Sequence, residues 1–239
     1  MAADNGAVTS ASDLASLAAL LADRTRAAMC LALLDGRAWT ARELAAHARV
    51  APSTATEHLH RLVGGGLLVE RRQGRHRYVQ LADPSVAHLL EDLAARLEPR
   101  ADPPRGLRIA TADAALRRGR TCYDHLAGRL GVAVTDAMTG AGLLDQSGGF
   151  AVTPAGTEWL TGTLGVDPEH LRPGRRPLAR ACLDWTERRA HLAGVAGAKV
   201  CDTLLGNGWV ARIGSGRAVR VTPAGRTALR DLLGLSGLD

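Results

Sequence analysis

The amino-acid sequence predicts a mainly α-helical protein with small β-hairpins, an α+β fold in which an N-terminal domain precedes two tandem units. Three observations predict this fold. Residues 40–81 contain two short amphipathic helices and a basic hairpin, residues 83–97 contain a further apolar helical stripe, and Val-Thr-Pro-Ala-Gly occurs at both 152–156 and 221–225. With 46% hydrophobic residues among 239, the chain is apolar enough to form more than one folded part.

The first elements lie upstream of the basic hairpin. Residues 1–11 are expected to form a disordered tail. Helices are predicted at 13–22 and 25–34, and Asp35-Gly36 supplies the turn that ends the second helix. Cys30 falls in the apolar run of that helix and is predicted to be a small core residue.

The next two helices are separated by a turn. Thr40 is followed three residues later by Glu43, a capping box that starts a helix near Ala41. The segment 50–53 ends this helix, because the residue before a proline is pushed out of the α region. Its serine is predicted to cap a second helix that begins at about Thr54.

The second helix combines an apolar face with a polar face. Ala55, Leu59 and Leu62 (or Val63) fall at helical spacing and are predicted to be buried. The outward side chains are small polar groups, a carboxylate, an imidazole and a guanidinium, which suit base edges and phosphates in a DNA major groove about 12 Å wide. They belong to Ser53, Thr54, Thr56, Glu57, His60 and Arg61. Glycines 64–66 then end the helix by allowing positive φ.

A basic hairpin follows the glycines. Strands are predicted at 67–69 and 78–81, with Gln73-Gly74 at the reversal. From Arg37 to Arg77 the chain has eight arginines and three glutamates, so this segment holds +5 of the formal net charge of +6. The predicted loop carries basic side chains suited to phosphates or to the minor groove, namely Arg71, Arg72, Arg75, His76 and Arg77.

The order of these elements is that of a winged helix-turn-helix, and it predicts binding to double-stranded DNA. Taken singly, the hairpin is compatible with a solvated turn and the second helix with an ordinary surface helix. The joint occurrence of capping box, Pro-Ser turn, second helix, glycine break and arginine hairpin favours contact with DNA.

Residues 12–97 resemble the ArsR-type winged-helix repressors. Ala-Asp-Arg-Thr-Arg at 22–26 is similar to the opening helix signature of this family, and Ala-Pro-Ser-Thr-Ala-Thr-Glu-His-Leu at 51–59 is similar to its recognition-helix signature. The resemblance implies a dimeric, operator-binding transcriptional regulator, usually a repressor released by an effector. Sequence-specific DNA binding by such a protein predicts an inverted-repeat operator and an affinity that falls steeply as salt rises. The residues that the resemblance places nearest the bases are Ser53, Thr54, Thr56 and Glu57.

A further helix is predicted from the Asp-Pro-Ser start at 83–85. Its apolar stripe consists of Val86, Leu89, Leu90, Leu93 and Leu97. This helix and the first helix of the chain are expected to pair with their copies in a homodimer, because one winged helix cannot cover these leucines. His88 and Glu91 resemble part of a dimer-helix metal motif of the family, but they are predicted to be surface residues. Prolines stiffen the predicted linker, 98–106.

The second half of the chain contains an internal repeat. Cys-Tyr-Asp at 122–124 recurs as Cys-Leu-Asp at 182–184, and His-Leu-Ala-Gly at 125–128 recurs at 191–194. Each unit is interpreted as a helix, a Gly-bounded helix, a hairpin and a helix that starts at Thr-Pro. A resemblance to longer ArsR-type regulators with a similar C-terminal half specifies no activity.

The two repeats are predicted to be winged-helix-like units spanning 107–168 and 169–239. Their hairpin tips differ in charge. The tip at 147–149 has no charged residue, whereas the segment 212–220 carries three arginines. Only the second tip is therefore expected to keep a contact with a nucleic-acid backbone.

Residues that bind Zn²⁺ or activate a thiolate occur at equivalent places in both repeats. They are Cys122, Asp124 and His125 in the first and Cys182, Asp184 and His191 in the second. If the repeats pack face to face about a local twofold, the cysteines and histidines converge into a two-Cys, two-His metal site or a redox-sensing thiol pair. The alternatives are a small-molecule effector pocket and a structural role. In the structural role Tyr123, Leu126 and Trp185 are core residues, and the Asp and His side chains fix helix starts.

No enzyme is predicted, and no cofactor is assigned beyond a metal ion or small-molecule effector. The alternative is a thiol- or metal-dependent sensor or enzyme with Cys122 as nucleophile and His125 or His191 as base, although no oxyanion-type Gly loop follows a strand. The four cysteines lack a CxxC spacing, which favours reduced thiols. The sequence has neither a membrane-length apolar run nor a signal peptide, so a cytoplasmic protein without a membrane partner is predicted.

Overall fold

A computed structural model describes the protein over four stretches of the chain. They are residues 10–74, 76–98, 107–172 and 174–237, with the backbone alone for His76 and for 107–109. The chain divides into two compact units between Val86 and Ala87. This division falls inside the helix that was assigned to the N-terminal domain, and the limits 12–97, 107–168 and 169–239 remain predictions. Most of the predicted tail and of the predicted linker lies outside the described residues.

Helices make up most of the regular structure, so the mainly helical α+β fold is confirmed. The described α-helices are α1 (Ala11–Leu21), α2 (Arg24–Ala32), α3 (Ala41–Ala48), α4 (Pro52–Gly64), α5 (Pro84–Ala95), α6 (Leu107–Arg118), α7 (Gly128–Gly140), α8 (Pro154–Glu158), α9 (Gly194–Gly206) and α10 (Pro223–Leu233). Short 3₁₀ turns lie at Leu33–Asp35 and Pro168–Leu171, and a π-helical turn at Trp159–Thr163 continues α8.

All of the described strand pairs are antiparallel. The strands are β1 (Trp39–Thr40), β2 (Leu68–Gln73), β3 (His76–Leu81), β4 (Arg120–Cys122), β5 (His125–Ala127), β6 (Leu144–Asp145), β7 (Ala151–Val152), β8 (Arg180–Leu183), β9 (Ala190–Ala193), β10 (Val210–Arg212) and β11 (Val219–Val221). Strands β1, β3 and β2 form a three-stranded sheet in that order, and the other strands form two-stranded hairpins.

Side chains fix the first two helices. Ser10 and Asp13 form a capping box at the start of α1, which begins about two residues earlier than predicted. At the start of α2, the carboxylate of Asp23 accepts the backbone N–H of Arg26. The buried guanidinium of Arg26 donates to two carbonyls in the last turn of α1, at 2.6 and 2.7 Å. A cation at a helix C-terminus is stabilised by the helix dipole, so the segment 22–26 joins α1 to α2.

The predicted capping box at the start of α3 is confirmed. The hydroxyl of Thr40 accepts the N–H of Glu43 at 3.2 Å, and the carboxylate of Glu43 accepts the N–H of Thr40 at 2.8 Å. The helix begins at Ala41, as predicted. It ends at Ala48 because Arg49 adopts the left-handed conformation with φ 57°.

Helix α4 begins earlier than predicted. Pro52 occupies its first turn, so Ser53 is a helical residue and not the cap, and the expected start at Thr54 is wrong. The cap residue, Ala51, makes no side-chain hydrogen bond. Proline needs no partner for an N–H and has a helical φ, so it starts this helix without a serine cap.

The hairpin is longer than predicted. Strands β2 and β3 pair from Leu68 opposite Leu81 to Gln73 opposite His76. The reversal at Gln73-Gly74 is confirmed, since Gly74 has φ 58°. Three predicted loop residues with described backbones, Arg71, Arg72 and Arg77, therefore lie in the strands, as does the backbone of His76. Arg75 lies outside the described residues. Among glycines 64–66, only Gly66 has a positive φ.

The second unit contains one order of elements twice. The β4–β5 hairpin, α7, the β6–β7 hairpin and α8 are followed by the β8–β9 hairpin, α9, the β10–β11 hairpin and α10. The sequence analysis predicted one hairpin in each repeat, so the additional hairpins that contain Cys122 and Cys182 were not predicted. Only two residues separate β4 from β5, and Tyr123 reverses the chain there with φ 58°. Tyr123 is exposed and not a core residue. The winged-helix-like nature of the repeats remains a prediction.

One continuous apolar cluster fills the second unit. It includes Leu126, Leu130 and Met138 from the first series of elements and Leu192 and Leu204 from the second. Both series therefore fold around a common core. In the first unit Cys30 is fully buried, as predicted. None of the helices in the described ranges is long and apolar enough to cross a lipid bilayer.

Candidate nucleic-acid interface and effector site

Helix α4 presents the polar face that the sequence predicted. Ala55, Leu59 and Leu62 are buried beneath it. The hydroxyl of Thr56 donates to the carbonyl of Pro52 at 2.9 Å, so its proton is used within the helix and its oxygen remains available as an acceptor. Of the predicted contact residues, those exposed are Ser53, Glu57, His60 and Arg61, and those half-buried are Thr54 and Thr56.

The hairpin offers two arginines with free guanidinium groups. Arg71 and Arg72 are exposed, and neither has a hydrogen bond or ion pair to any described residue. Adjacent residues of a strand point to opposite faces, so these two side chains lie on opposite faces of the ribbon. Arg77 is opposite Arg72 and forms an ion pair with Glu70. Part of the charge of Arg77 is therefore already neutralised by a carboxylate within the hairpin.

The arginines of the last hairpin are only partly available. Arg217 donates to the carboxylate of Glu91 at 2.9 Å and to the carbonyl of Thr121 at 3.3 Å. It thus contributes to the fold of the second unit. Arg212 and Arg220 are exposed, and the expected backbone contact at this tip remains a prediction.

Two hairpins of the second unit bring the repeated cysteines and histidines together. Cys122 is paired across its hairpin with His125, and Cys182 is paired across its hairpin with His191. Cross-strand partners share a face, so each hairpin presents one thiol and one imidazole on the same side. All four side chains are buried, and their ligand atoms lie within 4.8 Å of one another. The convergence considered from the sequence is present.

The two imidazoles face each other. Nε2 of His125 lies 3.1 Å from Nε2 of His191, and the ring centroids are 5.1 Å apart. Behind the rings, Nδ1 of His125 lies 3.3 Å from the carboxylate of Asp124, and Nδ1 of His191 lies 3.6 Å from that of Asp184. The structure therefore brings all six predicted residues of the second unit to one place.

Arginines hold both carboxylates. Arg176 donates twice to Asp124, at 2.5 and 2.9 Å, and Arg120 donates to Asp184 at 3.0 Å. Asp184 also accepts the N–H of Gly128, the first residue of α7, at 2.6 Å, so it does fix a helix start. Burial opposes ionisation of Asp184, but the charge of Arg120 and these hydrogen bonds lower its pKa to about 2.

Glu91 on helix α5 also belongs to this site. The sequence analysis predicted Glu91 to be a surface residue, and that prediction is wrong. It is 2% exposed and accepts hydrogen bonds from Arg120, Arg217 and Trp185 at 2.9 to 3.2 Å. Its other oxygen accepts the thiol of Cys122 at 3.1 Å. Burial opposes ionisation of Glu91, but the charges of Arg217 and Arg120 outweigh it and lower its pKa.

His88 lies one turn before Glu91 and is half-buried. Its Nδ1 is 3.5 Å from Sγ of Cys122, and this interaction raises the pKa of His88. The pKa of Cys122 is raised as well, because the neighbouring thiol of Cys182 and burial both disfavour its thiolate. In this arrangement Cys122 is therefore a protonated thiol, and its S–H donates a hydrogen bond to Glu91.

The sequence contains one signal that could have identified the arginine of this network. Arg-Thr-Cys at 120–122 recurs as Arg-Ala-Cys at 180–182, so an arginine precedes each repeated cysteine by two residues. Arg120 is 1% exposed, whereas the guanidinium of Arg180 lies 3.4 Å from Nε2 of His88. No comparable repeat marks Glu91, whose partners are distant in sequence.

Comparison with known proteins gives similarities along most of the chain. A family model described as a helix-turn-helix domain matches residues 21–71. The chain is 37% identical over 217 residues to the Uncharacterized HTH-type transcriptional regulator YdfF of Bacillus subtilis (strain 168), and the match covers 90% of this chain and 95% of that protein.

Shorter similarities fall on the first part of the chain. Over 82 residues it is 42% identical to the HTH-type transcriptional regulator CmtR of Mycobacterium bovis (strain ATCC BAA-935 / AF2122/97), covering 34% of this chain and 69% of that protein. An NMR structure of the cadmium metal-sensor CMTR from Mycobacterium tuberculosis is 36% identical, with a TM-score of 0.32, and covers 39% of this chain and 97% of its own.

Proposed function

Because the chain belongs to the ArsR family of winged helix-turn-helix transcriptional regulators and is a DNA-binding regulator, we propose that α4 reads operator bases while the β2–β3 hairpin contacts the DNA backbone. The observation that carries the proposal is the polar face of α4. Its side chains are exposed or half-buried, whereas Ala55, Leu59 and Leu62 on the opposite face are buried. The base-reading set is Ser53, Thr54, Thr56, Glu57, His60 and Arg61. The hairpin set is Arg71, Arg72, Arg75, His76 and Arg77.

The chemistry of both sets fits these roles. A carboxylate such as that of Glu57 can accept a hydrogen bond from the amino group of cytosine, and the methyl group of Thr56 can make an apolar contact with the thymine methyl group. Arginines carry permanent charge and a forked set of donors for phosphate oxygens. Two free guanidiniums on opposite faces of the ribbon suit phosphates on either side of a groove.

Base reading is tested by replacing α4 residues and selecting binding sites from a random duplex library. Thr56→Ala and Glu57→Gln should each change the preferred base at one or two positions, with a loss of about 1–3 kcal/mol of discrimination for a good contact. Glu158→Gln, at an exposed carboxylate of α8, is the matched control and should leave the preferred site unchanged. An identical selected site for all of these variants and the wild type would exclude α4 as the reading helix.

Backbone contact is tested by the salt dependence of binding. The double substitution Arg71→Gln with Arg72→Gln should weaken binding to all duplexes and reduce the slope of log K against log salt by about 1 to 2. The control, Arg117→Gln with Arg118→Gln at the exposed end of α6, removes the same charge from the second unit. Equal slopes for the two variants would contradict the role of the hairpin.

The proposal extends to the assembly and its control. The chain acts in the cytoplasm as a homodimeric repressor at an inverted-repeat operator, and its second unit modulates operator binding. Exposed leucines support the dimer, since Leu14 is 63% and Leu97 66% exposed in one chain. The buried Cys122–Glu91 bond supports modulation, because it ties the Cys/His site to α5, which follows the β3 strand of the hairpin.

Catalysis is not part of the proposal. The thiol that would act as nucleophile, Cys122, is 2% exposed and has a raised pKa, and both properties disfavour attack on a substrate. His125, the candidate base, shares its Nε2 contact with His191. These observations support a binding role for the Cys/His site.

A further inference from the structure

We propose that Cys122, His125, Cys182 and His191 form a four-coordinate site for one Zn²⁺-class cation, a divalent ion that takes thiolate and imidazole ligands in tetrahedral geometry. The site lies in the second unit, and its occupancy does not depend on the operator proposal. Its effect on DNA binding does rest on that proposal.

The donor set and its spacing fit such an ion. Two thiols and two imidazoles are the ligands of structural zinc sites, with Zn–N bonds of about 2.0 Å and Zn–S bonds of about 2.3 Å. Tetrahedral bonds of this length place two imidazole nitrogens about 3.3 Å apart. The observed Nε2–Nε2 distance is 3.1 Å, and all four ligand atoms lie within 4.8 Å of one another. Shifts of about an ångström are enough to close the site.

The imidazole pair is best satisfied by added positive charge, either a third ring proton or a metal ion. Two neutral rings whose Nε2 atoms face each other at 3.1 Å form a hydrogen bond only if one Nε2 carries the proton. The Nδ1 of that ring is then a lone pair directed at a carboxylate, which is repulsive. A metal ion between the two Nε2 atoms removes the conflict, because both rings then carry their proton on Nδ1.

The carboxylates are placed for this tautomer. Metal-bound histidines commonly donate their other N–H to a carboxylate, which fixes the ring and increases its basicity. Asp124 faces Nδ1 of His125, and Asp184 faces Nδ1 of His191. Nδ1 of His191 is buried and has no hydrogen-bond partner among the described residues. A proton on this nitrogen would be directed at the Asp184 carboxylate, 3.6 Å away, and a small shift of the ring on metal binding would bring the two atoms within hydrogen-bond distance.

Charge balance favours a divalent ion over other ligands. Binding converts two thiols to thiolates and releases two protons, so two negative ligands and one M²⁺ give a site with no net charge. A neutral site suits four buried side chains, because an unpaired buried charge is costly. A disulfide between Cys122 and Cys182 would account for the thiols but would leave the imidazole conflict in place.

Loading changes the bonds to helix α5. In the metal-free chain the thiol of Cys122 donates a hydrogen bond to Glu91. Coordination removes the thiol proton and therefore this hydrogen bond. Glu91 then faces a thiolate while Arg120 and Arg217 still bind it, so α5 must adjust. His88, 3.5 Å from Cys122, is on the same helix. Metal binding thus alters the helix that follows the DNA-contacting hairpin.

The site is tested with the reduced, chelator-washed full chain and Co²⁺ as the spectroscopic probe. We expect one Co²⁺ per chain, with thiolate-to-cobalt charge-transfer absorption and the intense d–d bands of tetrahedral Co²⁺, and displacement of these bands by one equivalent of Zn²⁺. Cys182→Ser should reduce the charge-transfer absorption by about half, since one of two Co–S bonds is lost. Cys201→Ala, at a buried thiol outside the site, is the control.

A second pair of variants keeps the test valid if the cysteine variant does not fold. Asp124→Asn should weaken Co²⁺ binding about 10- to 100-fold, as expected for a carboxylate behind a metal-bound histidine. Asp136 also accepts two hydrogen bonds from an arginine, Arg189, but it does not lie behind a histidine of the site. Asp136→Asn is therefore the control and should not change the affinity for Co²⁺. Circular dichroism of the metal-free proteins reports their folding.

Three results would overturn the metal site. They are the absence of tetrahedral bands, bands of full intensity in Cys182→Ser, and formation of a Cys122–Cys182 disulfide by a reduced chain that takes up no metal.

Operator binding is then measured with and without Zn²⁺. Zn²⁺ should change the affinity of the wild-type chain for the operator by about 5- to 150-fold. It should not change the affinity of Cys182→Ser. A loaded chain with unchanged affinity contradicts the link to α5. A chain that binds Zn²⁺ but no duplex contradicts the operator proposal alone.

Discussion

Arg120 shows how a single buried side chain organises the second unit. Its guanidinium is 1% exposed and donates to Glu91 at 3.2 Å, to Asp184 at 3.0 Å and to the carbonyl of Leu116 at 3.2 Å. It also lies over the ring of Trp185, 5.2 Å from the centroid. The two carboxylates it binds belong to different elements, so this cation connects α5 to the segment after β8.

Removing this cation should be strongly destabilising. Arg120→Met leaves two buried carboxylates without their common cation, and breaking a buried ion pair from one side costs about 3–5 kcal/mol. Arg217 still binds Glu91 and backbone N–H groups still bind Asp184, so the lower end of this range is expected. The free energy of unfolding, measured by urea titration, checks the effect.

The exposed Arg117 of α6 provides the matched control. Arg117→Met changes the same chemical groups at the surface and should shift the free energy of unfolding by less than about 0.5 kcal/mol. If Arg120→Met were as mild as Arg117→Met, the buried network would not stabilise the second unit.

The residues of the Cys/His site could be predicted in part. The repeat marks Cys122, His125, Cys182 and His191 because the same residue types recur at equivalent places. Glu91 could not be found in this way. Its position on an amphipathic helix is typical of a surface residue, and its partner Arg217 is 126 residues away. A buried carboxylate is stable only with such partners, and sequence periodicity does not report them.

At the scale of elements, the final helix of each series packs tightly against the hairpin before it. A Cβ added at Gly225 in α10 would overlap the carbonyl oxygen of Trp209, and one added at Gly156 in α8 would overlap that of Leu143. These glycines belong to the repeated Val-Thr-Pro-Ala-Gly motif. The motif therefore encodes both a helix start and the close approach of that helix to backbone.

Alanine at Gly225 should destabilise the protein although alanine favours helices. The helix propensity gains about 1 kcal/mol, but overpacking against backbone typically costs about 1–3 kcal/mol and the neighbouring carbonyl cannot rotate away easily. We therefore expect a lower urea midpoint for Gly225→Ala. Gly206→Ala, at the end of α9 with open space around it, should be neutral or stabilising. A midpoint that rises for both variants would rule out the close contact.

Local signals account for the elements that were predicted well. The capping box at Thr40 and the apolar spacing of Ala55, Leu59 and Leu62 act within a few residues, and they gave α3 and the buried face of α4. The hairpins at Cys122 and Cys182 were missed. Their strands are only three and four residues long, and they are stabilised by cross-strand pairing and by the shared core. Such non-local contacts override weak local preferences.

At the scale of the whole molecule, the leucines that one chain leaves exposed support the proposed dimer. None of the described residues of α1 is buried, and Leu14 is 63% exposed. Leu93 on α5 is 45% exposed and Leu97 just beyond it is 66% exposed. Burying a leucine side chain contributes about 1.5–3 kcal/mol, so covering these residues favours association of two copies. A twofold dimer also explains why an inverted repeat is the expected operator.

The dimer is tested by sedimentation and by operator binding of the same variants. Wild-type protein should sediment as two chains, whereas Leu14→Glu with Leu97→Glu places charges in the proposed contact and should sediment as one. The double variant should also lose affinity for a two-half-site duplex much more than for a single half-site, because joining two half-sites requires the dimer. Ile213→Glu, at an apolar residue of the last hairpin that is 38% exposed, is the control and should remain dimeric. If the wild type sediments as one chain, or if both variants remain dimers, these leucines do not form the interface and operator symmetry must arise elsewhere.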